Sequence, residues 1–122
     1  MSKIDAQTDQ VTATIPVGTD PYHIVVGNGS VWVNNRSDHS ISKIDPLQDR
    51  VVDIIGGVRG ILAIDGTDLW VADAEAPTLW RIDTNTDQVT AEFDLAYSGY
   101  LAVGAGSVWI SAPTVFDDQC CP

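Results

Sequence analysis

Short apolar runs alternate with polar turns along almost the whole chain. His23-Ile24-Val25-Val26-Gly27 is short, apolar and β-branched, the pattern of a buried strand. Asn28-Gly29 follows, and because both residues tolerate positive φ the pair predicts a two-residue type I′ hairpin. Ser30 to Asn34 reads as the second strand and Asn35 to His39 as a polar loop. Ser40-Ile41-Ser42-Lys43-Ile44-Asp45 alternates polar and apolar, as a half-exposed third strand does. Asp45 to Asp49 is a turn, since the Asp carboxylate accepts backbone N–H groups and Pro46 presets φ. Arg50 to Gly56 is the fourth strand. No helical period appears anywhere.

This unit recurs. Lys3-Ile4-Asp5…Asp9-Gln10-Val11 returns after 40 residues as Lys43-Ile44-Asp45…Asp49-Arg50-Val51, and after a further 38 as Arg81-Ile82-Asp83…Asp87-Gln88-Val89. A second phrase, Ser30-Val31-Trp32-Val33, returns as Asp68-Leu69-Trp70-Val71 and Ser107-Val108-Trp109-Ile110, after 38 and 39 residues. Two phrases sharing one period near 40, each unit holding four antiparallel strands, predict an all-β chain of β-propeller blades. Residues 1–18 carry only a third and a fourth strand, and residues 97–112 only a first and a second; residues 19–57 and 58–96 are whole blades, and 113–122 form a tail outside the pattern. The chain is thus two whole blades and two complementary half-blades. Propellers have four to eight blades, and three twisted sheets would meet too sharply to close. Two chains exchanging half-blades would close a six-bladed ring and remove every exposed edge. The alternative is a fragment of a larger propeller.

The repeat resembles the YVTN-type and virginiamycin B (streptogramin) lyase-like β-propellers. The matching text is Asp20-Pro21-Tyr22-His23-Ile24-Val25-Val26-Gly27-Asn28-Gly29-Ser30-Val31-Trp32-Val33, then Ile41-Ser42-Lys43-Ile44-Asp45-Pro46. Asp9, Asp49 and Asp87 stand where the family consensus has a turn glycine. For the lyases the resemblance implies a depsipeptide antibiotic opened by elimination, with a histidine base and a divalent metal, Mg²⁺, on the top face. The matched residues are scaffold residues, so the resemblance speaks for the architecture first.

Charge narrows the partners. Seventeen Asp and Glu against six Lys and Arg give a formal net charge of −11, which repels nucleic acid and anionic membranes. No apolar stretch reaches the length of a membrane span, and the opening Met1-Ser2-Lys3-Ile4-Asp5 has no signal-peptide pattern, so the default expectation is a soluble, cytoplasmic chain. Cys120 and Cys121 are adjacent at the end and cannot staple a fold.

Most conspicuous side chains fit scaffold roles. Trp32, Trp70 and Trp109 recur at one strand position and are expected to fill gaps between blades; Trp80, where the other unit has Ser42, is a packing variation or a surface contact. Asp5, Asp45 and Asp83 lie a blade apart and are turn formers. Asp65 to Asp68 lacks the ligand spacing of a Ca²⁺ loop, and the Gly-rich turns precede strands rather than helices. His39 beside Asp38 and Ser40 cannot form a triad among neighbours.

Function is expected where the copies differ. His23 aligns with Ile61 and Tyr100, Tyr22 with Gly60 and Gly99, and Pro21 with Arg59 and Ser98, all before the innermost strand. The loops between second and third strands open on the same face with Asn34, Asn35, Arg36, Asp73 and Glu75. The candidate ligand-binding set is therefore Tyr22, His23, Asn35, Arg36, Arg59, Asp73, Glu75 and Tyr100, with His23 the one candidate general base. The reading is a non-enzymatic scaffold binding a small molecule or peptide at the channel mouth and self-associating through half-blades. Its rivals are a lyase using Mg²⁺ and a purely structural repeat.

Overall fold

A computed structural model describes residues 1–73, 75–95 and 99–111. The 113–122 tail, Cys120, Cys121 and Ser98 lie outside the described residues. Among the described residues, twelve strands form four antiparallel sheets. Strands β1 (Ser2–Asp5) and β2 (Gln10–Thr14) make a two-stranded sheet. Strands β3 (Pro21–Gly27), β4 (Ser30–Asn35), β5 (Ser40–Asp45) and β6 (Arg50–Gly56) make the first four-stranded blade. The second comprises β7 (Ile61–Asp65), β8 (Asp68–Asp73), β9 (Thr78–Asp83) and β10 (Gln88–Asp94). Strands β11 (Leu101–Gly104) and β12 (Ser107–Ile110) form the last pair. The inner strands β3, β7 and β11 stand side by side. The chain is all-β, with two whole blades and two half-blades.

Turn chemistry repeats with the sequence. The Oδ1 atoms of Asp5, Asp45 and Asp83 each accept the N–H two residues on, at 2.8 Å. Each turn closes with the N–H of Asp9, Asp49 or Asp87 donating to the carbonyl of that first Asp, at 2.8, 2.9 and 2.7 Å. The closing Asp has a φ of 58°, 54° or 58°. This left-handed conformation suits glycine best and Asp or Asn next, which accounts for Asp where the resembling family has Gly. Asn28 and Gly29 both have positive φ, at 47° and 76°, as a type I′ hairpin requires.

The sequence pattern did not disclose a bulge that each unit carries at one place. Thr12, Val52 and Thr90 are each left unpaired in the outermost strand. The Thr12 and Thr90 hydroxyls donate to the carbonyls of Lys3 and Arg81 opposite. Such bulges sharpen strand twist, which a blade needs at its outer edge.

The core lies between blades. Trp32, Ile41 and Ile55 of the first whole blade meet Val58, Leu62, Leu69, Val71 and Ile82 at the second. Ile15 of the opening half-blade packs with Val33 and Ile44. Lys43 reaches across the seam to Asp87, 3.0 Å away, and to the Thr84 carbonyl while lying 5.1 Å over the Trp32 ring. Burial and the neighbouring Asp53 hold the Asp87 carboxyl above its ordinary range, against the pull of Lys43. Asn28 adds a second tie, donating to Thr84 Oγ1 at 2.7 Å. Trp32 fills its gap completely, and Trp80 packs against the same cluster. Trp70 is partly buried and stacks on Phe93 at 6.5 Å. Trp109 departs from the expected gap-filling role, being 58% exposed because the described residues place no further blade against it.

Candidate functional site

A cleft of about 220 Å³ opens where the first whole blade meets the second, at one end of the inner strands. Tyr22 and Gly60-Ile61 enter it from the starts of β3 and β7, Asn34 and Ala72-Asp73 from the ends of β4 and β8. Arg36, Arg59 and Glu75 complete its polar wall.

Gly60 is required there. Its φ is 149°, and a Cβ would lie 2.1 Å from the Ala72 carbonyl oxygen. Tyr22 holds the equivalent position in the other blade, and the strand accommodates it through a register shift between Pro21 and His23. The bulge leaves Tyr22 half exposed, with the Arg36 guanidinium 4.5 Å above its ring. Arg36 Nε donates to Asp20 Oδ2 at 3.0 Å, which fixes the guanidinium in place.

Arg59 is the central cation. Nη1 stands 2.9 Å from His39 Nε2 and 3.8 Å from Glu75 Oε2, and Nη2 stands 3.4 Å from Asp73 Oδ2. A guanidinium only donates, so His39 Nε2 accepts and the His39 proton lies on Nδ1. Asp73 Oδ1 accepts the Glu75 N–H at 2.9 Å, which sets the loop that carries Glu75. Asn34 is fully buried; its Nδ2 donates to the Gly60 carbonyl at 2.6 Å, and its Oδ1 has no protein partner among the described residues.

The cleft therefore gathers Tyr22, Arg36, Arg59, Asp73 and Glu75 from the sequence candidates. His23 is not in its wall. Its Nδ1 accepts the Leu62 N–H at 3.0 Å, so it clasps β3 to β7, and burial lowers its pKa. Asn35 is not a loop residue: it ends β4, fully buried, donating to Ser40 and Ser42 at 3.3 and 2.8 Å. Tyr100 lies one blade away beside β11, 72% exposed. Sequence reasoning did not give a role to His39, and it named Asn34, at the end of the second strand, beside the loop residues without making it a candidate. The signal for Asn34 was a polar residue where Ala72 stands in the next copy.

Among the described residues, no three His, Cys, Asp or Glu side chains come together as a metal site. With His23 Nδ1 already bonded and both cleft carboxylates facing Arg59, the residues present do not fit the Mg²⁺ centre that the lyase resemblance implies.

Solved structures similar to this one include β-propeller proteins. Citrobacter koseri AztD superposes with a TM-score of 0.71 at 18% identity, over 87% of this chain and 33% of that one. Kuenenia stuttgartiensis hydrazine synthase gives 0.67 at 22% identity, over 79% and 31%. The WD40 repeats of RRP9 give 0.59 at 19% identity, over 69% and 29%. The chain thus spans about a third of the length of these structures. At such identities the likeness establishes the β-propeller repeat fold. No family model matches this sequence, and no curated protein matches it by sequence.

Proposed function

We propose that the chain is a non-enzymatic propeller module that binds a small, peptide-like ligand in the cleft between its whole blades. The observation that carries this reading is Asn34, which lines that cleft and whose buried Oδ1 has no protein partner among the described residues. Leaving such an atom unbonded costs about 1–3 kcal/mol, so a ligand N–H donated to it is favoured. Arg59 and Arg36 offer donors to a ligand carboxylate or carbonyl, and Asp73 and Glu75 accept from an amine. A mixed lining of that kind suits an amide-bearing or zwitterionic ligand better than a purely anionic one.

Titration of ¹⁵N-labelled protein with a panel of di- and tripeptides tests the proposal. Shifts are expected at the Asn34 side-chain amide and around Arg59, and Arg59→Ala is expected to weaken binding about tenfold or more, as losing a charged hydrogen bond does. Peptides that leave these resonances unmoved overturn it.

The shared repeat phrase also supports a place among the YVTN-type, streptogramin lyase-like propellers, with an antibiotic-opening enzyme as the second reading. That reading needs His23 as base. Virginiamycin B incubated with the protein and Mg²⁺ should remain intact. Its loss, abolished by His23→Ala, would replace the scaffold with the lyase.

A further inference from the structure

The two half-blades present complementary edges. Strand β1 pairs with β2 on one side, and β12 pairs with β11 on one side; among the described residues neither has a partner on the other. In each whole blade this missing junction is the one between second and third strands. There Trp32 stands opposite Lys43, and Trp70 opposite Arg81. Each cation lies over its indole, at 5.1 and 5.3 Å. The equivalent residues at the open edges are Lys3 on β1 and Trp109 on β12. Of six basic residues in an acidic chain, three occupy this repeated position.

Lys3 already holds the pose of its counterpart. Its Nζ reaches Asp49 at 2.7 Å and the Pro46 carbonyl at 3.0 Å, as Lys43 reaches Asp87 and the Thr84 carbonyl. Only the indole is missing. Beside Lys3 lies a mostly apolar cavity of about 200 Å³, walled by Ile15, Ile24, Val31 and Ile44. One repeat further on, the equivalent positions are Ile55, Leu62, Leu69 and Ile82, the cluster that encloses Trp32. An apolar cavity of about 150 Å³ admits benzene, so this one is of a size for an indole. Trp109, meanwhile, is 58% exposed where Trp32 is fully buried.

We propose that this cavity receives Trp109 of a second copy of the chain, whose β12 adds antiparallel to the free edge of β1. The internal junctions set the register: Trp109 opposite Lys3, Val108 opposite Ile4, and Ile110 opposite Ser2 of the other chain. The reciprocal junction forms in the same way, and the two close a two-fold, six-bladed ring. Arg81 fits the scheme. It folds back on Asp68 at 2.8 Å, whereas Lys43 at the same repeat position reaches the next blade; in the ring its acceptors are Asp9 and the Ala6 carbonyl of the second copy. A second copy is the occupant because the open seam reproduces an internal seam of this same chain, residue by residue.

Cross-linking tests the register. In a Cys120→Ser, Cys121→Ser background, Ser2→Cys combined with Ile110→Cys is expected to give a disulfide-linked dimer under mild oxidation, and Ser2→Cys with Val108→Cys is not. Light scattering on the unaltered 122-residue chain should give twice 13.1 kDa. Trp109→Ala should weaken the dimer by about 30-fold or more, as removal of a central interface tryptophan does. Circular dichroism of that variant reports whether its blades remain folded. A monomer at the highest soluble concentration, an intrachain Ser2–Ile110 cross-link, or a dimer indifferent to Trp109→Ala overturns the proposal.

Discussion

Ala105 adopts a φ of 51° in the β11–β12 hairpin, where the first whole blade uses Asn28 at 47°. The left-handed conformation clashes with an alanine Cβ and is tolerated by Asn, whose side chain bonds locally. Ala105→Asn is therefore expected to stabilise the fold by about 0.5–1 kcal/mol, read as a raised midpoint in chemical denaturation. His23 gives a pH effect with a definite sign. Its folded pKa lies below the unfolded value because burial disfavours the imidazolium. Its contribution is present above the unfolded pKa, near 6.5, and is lost as pH falls toward the folded one. Protonating Nδ1 also abolishes the bond from the Leu62 N–H. Melting curves across that range should show the chain losing stability on acidification, with a shallower dependence in His23→Gln. The sequence marked His23 as unusual but could not show that Nδ1 faces a neighbouring blade's backbone.

At the scale of strands and blades, burial separates residues that the repeat makes equivalent. Trp32 is sealed by the second whole blade, whereas Trp109 has no such cover among the described residues. Trp32→Ala should cost about 3–5 kcal/mol, because it leaves a cavity in the one seam joining two complete blades. Trp109→Ala should cost the isolated chain far less. Urea titration of both variants under dilute conditions distinguishes them, and equal losses would contradict the packing described here. The strands themselves were readable because alternation and turn chemistry are local. The repeated bulge at Thr12, Val52 and Thr90 was not, since an unpaired residue leaves no mark on the alternation of its strand. The extension of β4 through Asn35 was missed for a related reason. Asn35 reads as the start of a loop until Ser40 and Ser42 are seen to receive its side-chain amide.

For the molecule as a whole, the proposed pairing of the edges left open among the described residues would tie stability to concentration. If copies associate through those edges, the thermal midpoint rises with protein concentration by mass action. Differential scanning calorimetry over about two decades of protein concentration should show a steady upward shift. A midpoint independent of concentration would mean that the edges remain unpaired at the transition.

The sequence by itself determined the blade pattern, the turn types and the positions at which copies differ, because each depends on residues adjacent along the chain. It also brought Tyr22, Arg36, Arg59, Asp73 and Glu75 into consideration, since departures from a repeat are visible in one dimension. Only the tertiary structure decided which of them share a cleft. It placed His23 in an inter-blade clasp, put His39 behind Arg59, and left Asn34 Oδ1 without a protein partner among the described residues. It also set Lys3 over an apolar cavity that matches the surroundings of Trp32. The physical reason is that these contacts join residues one or more strands apart, and their energetics depend on burial, which the order of residues does not record.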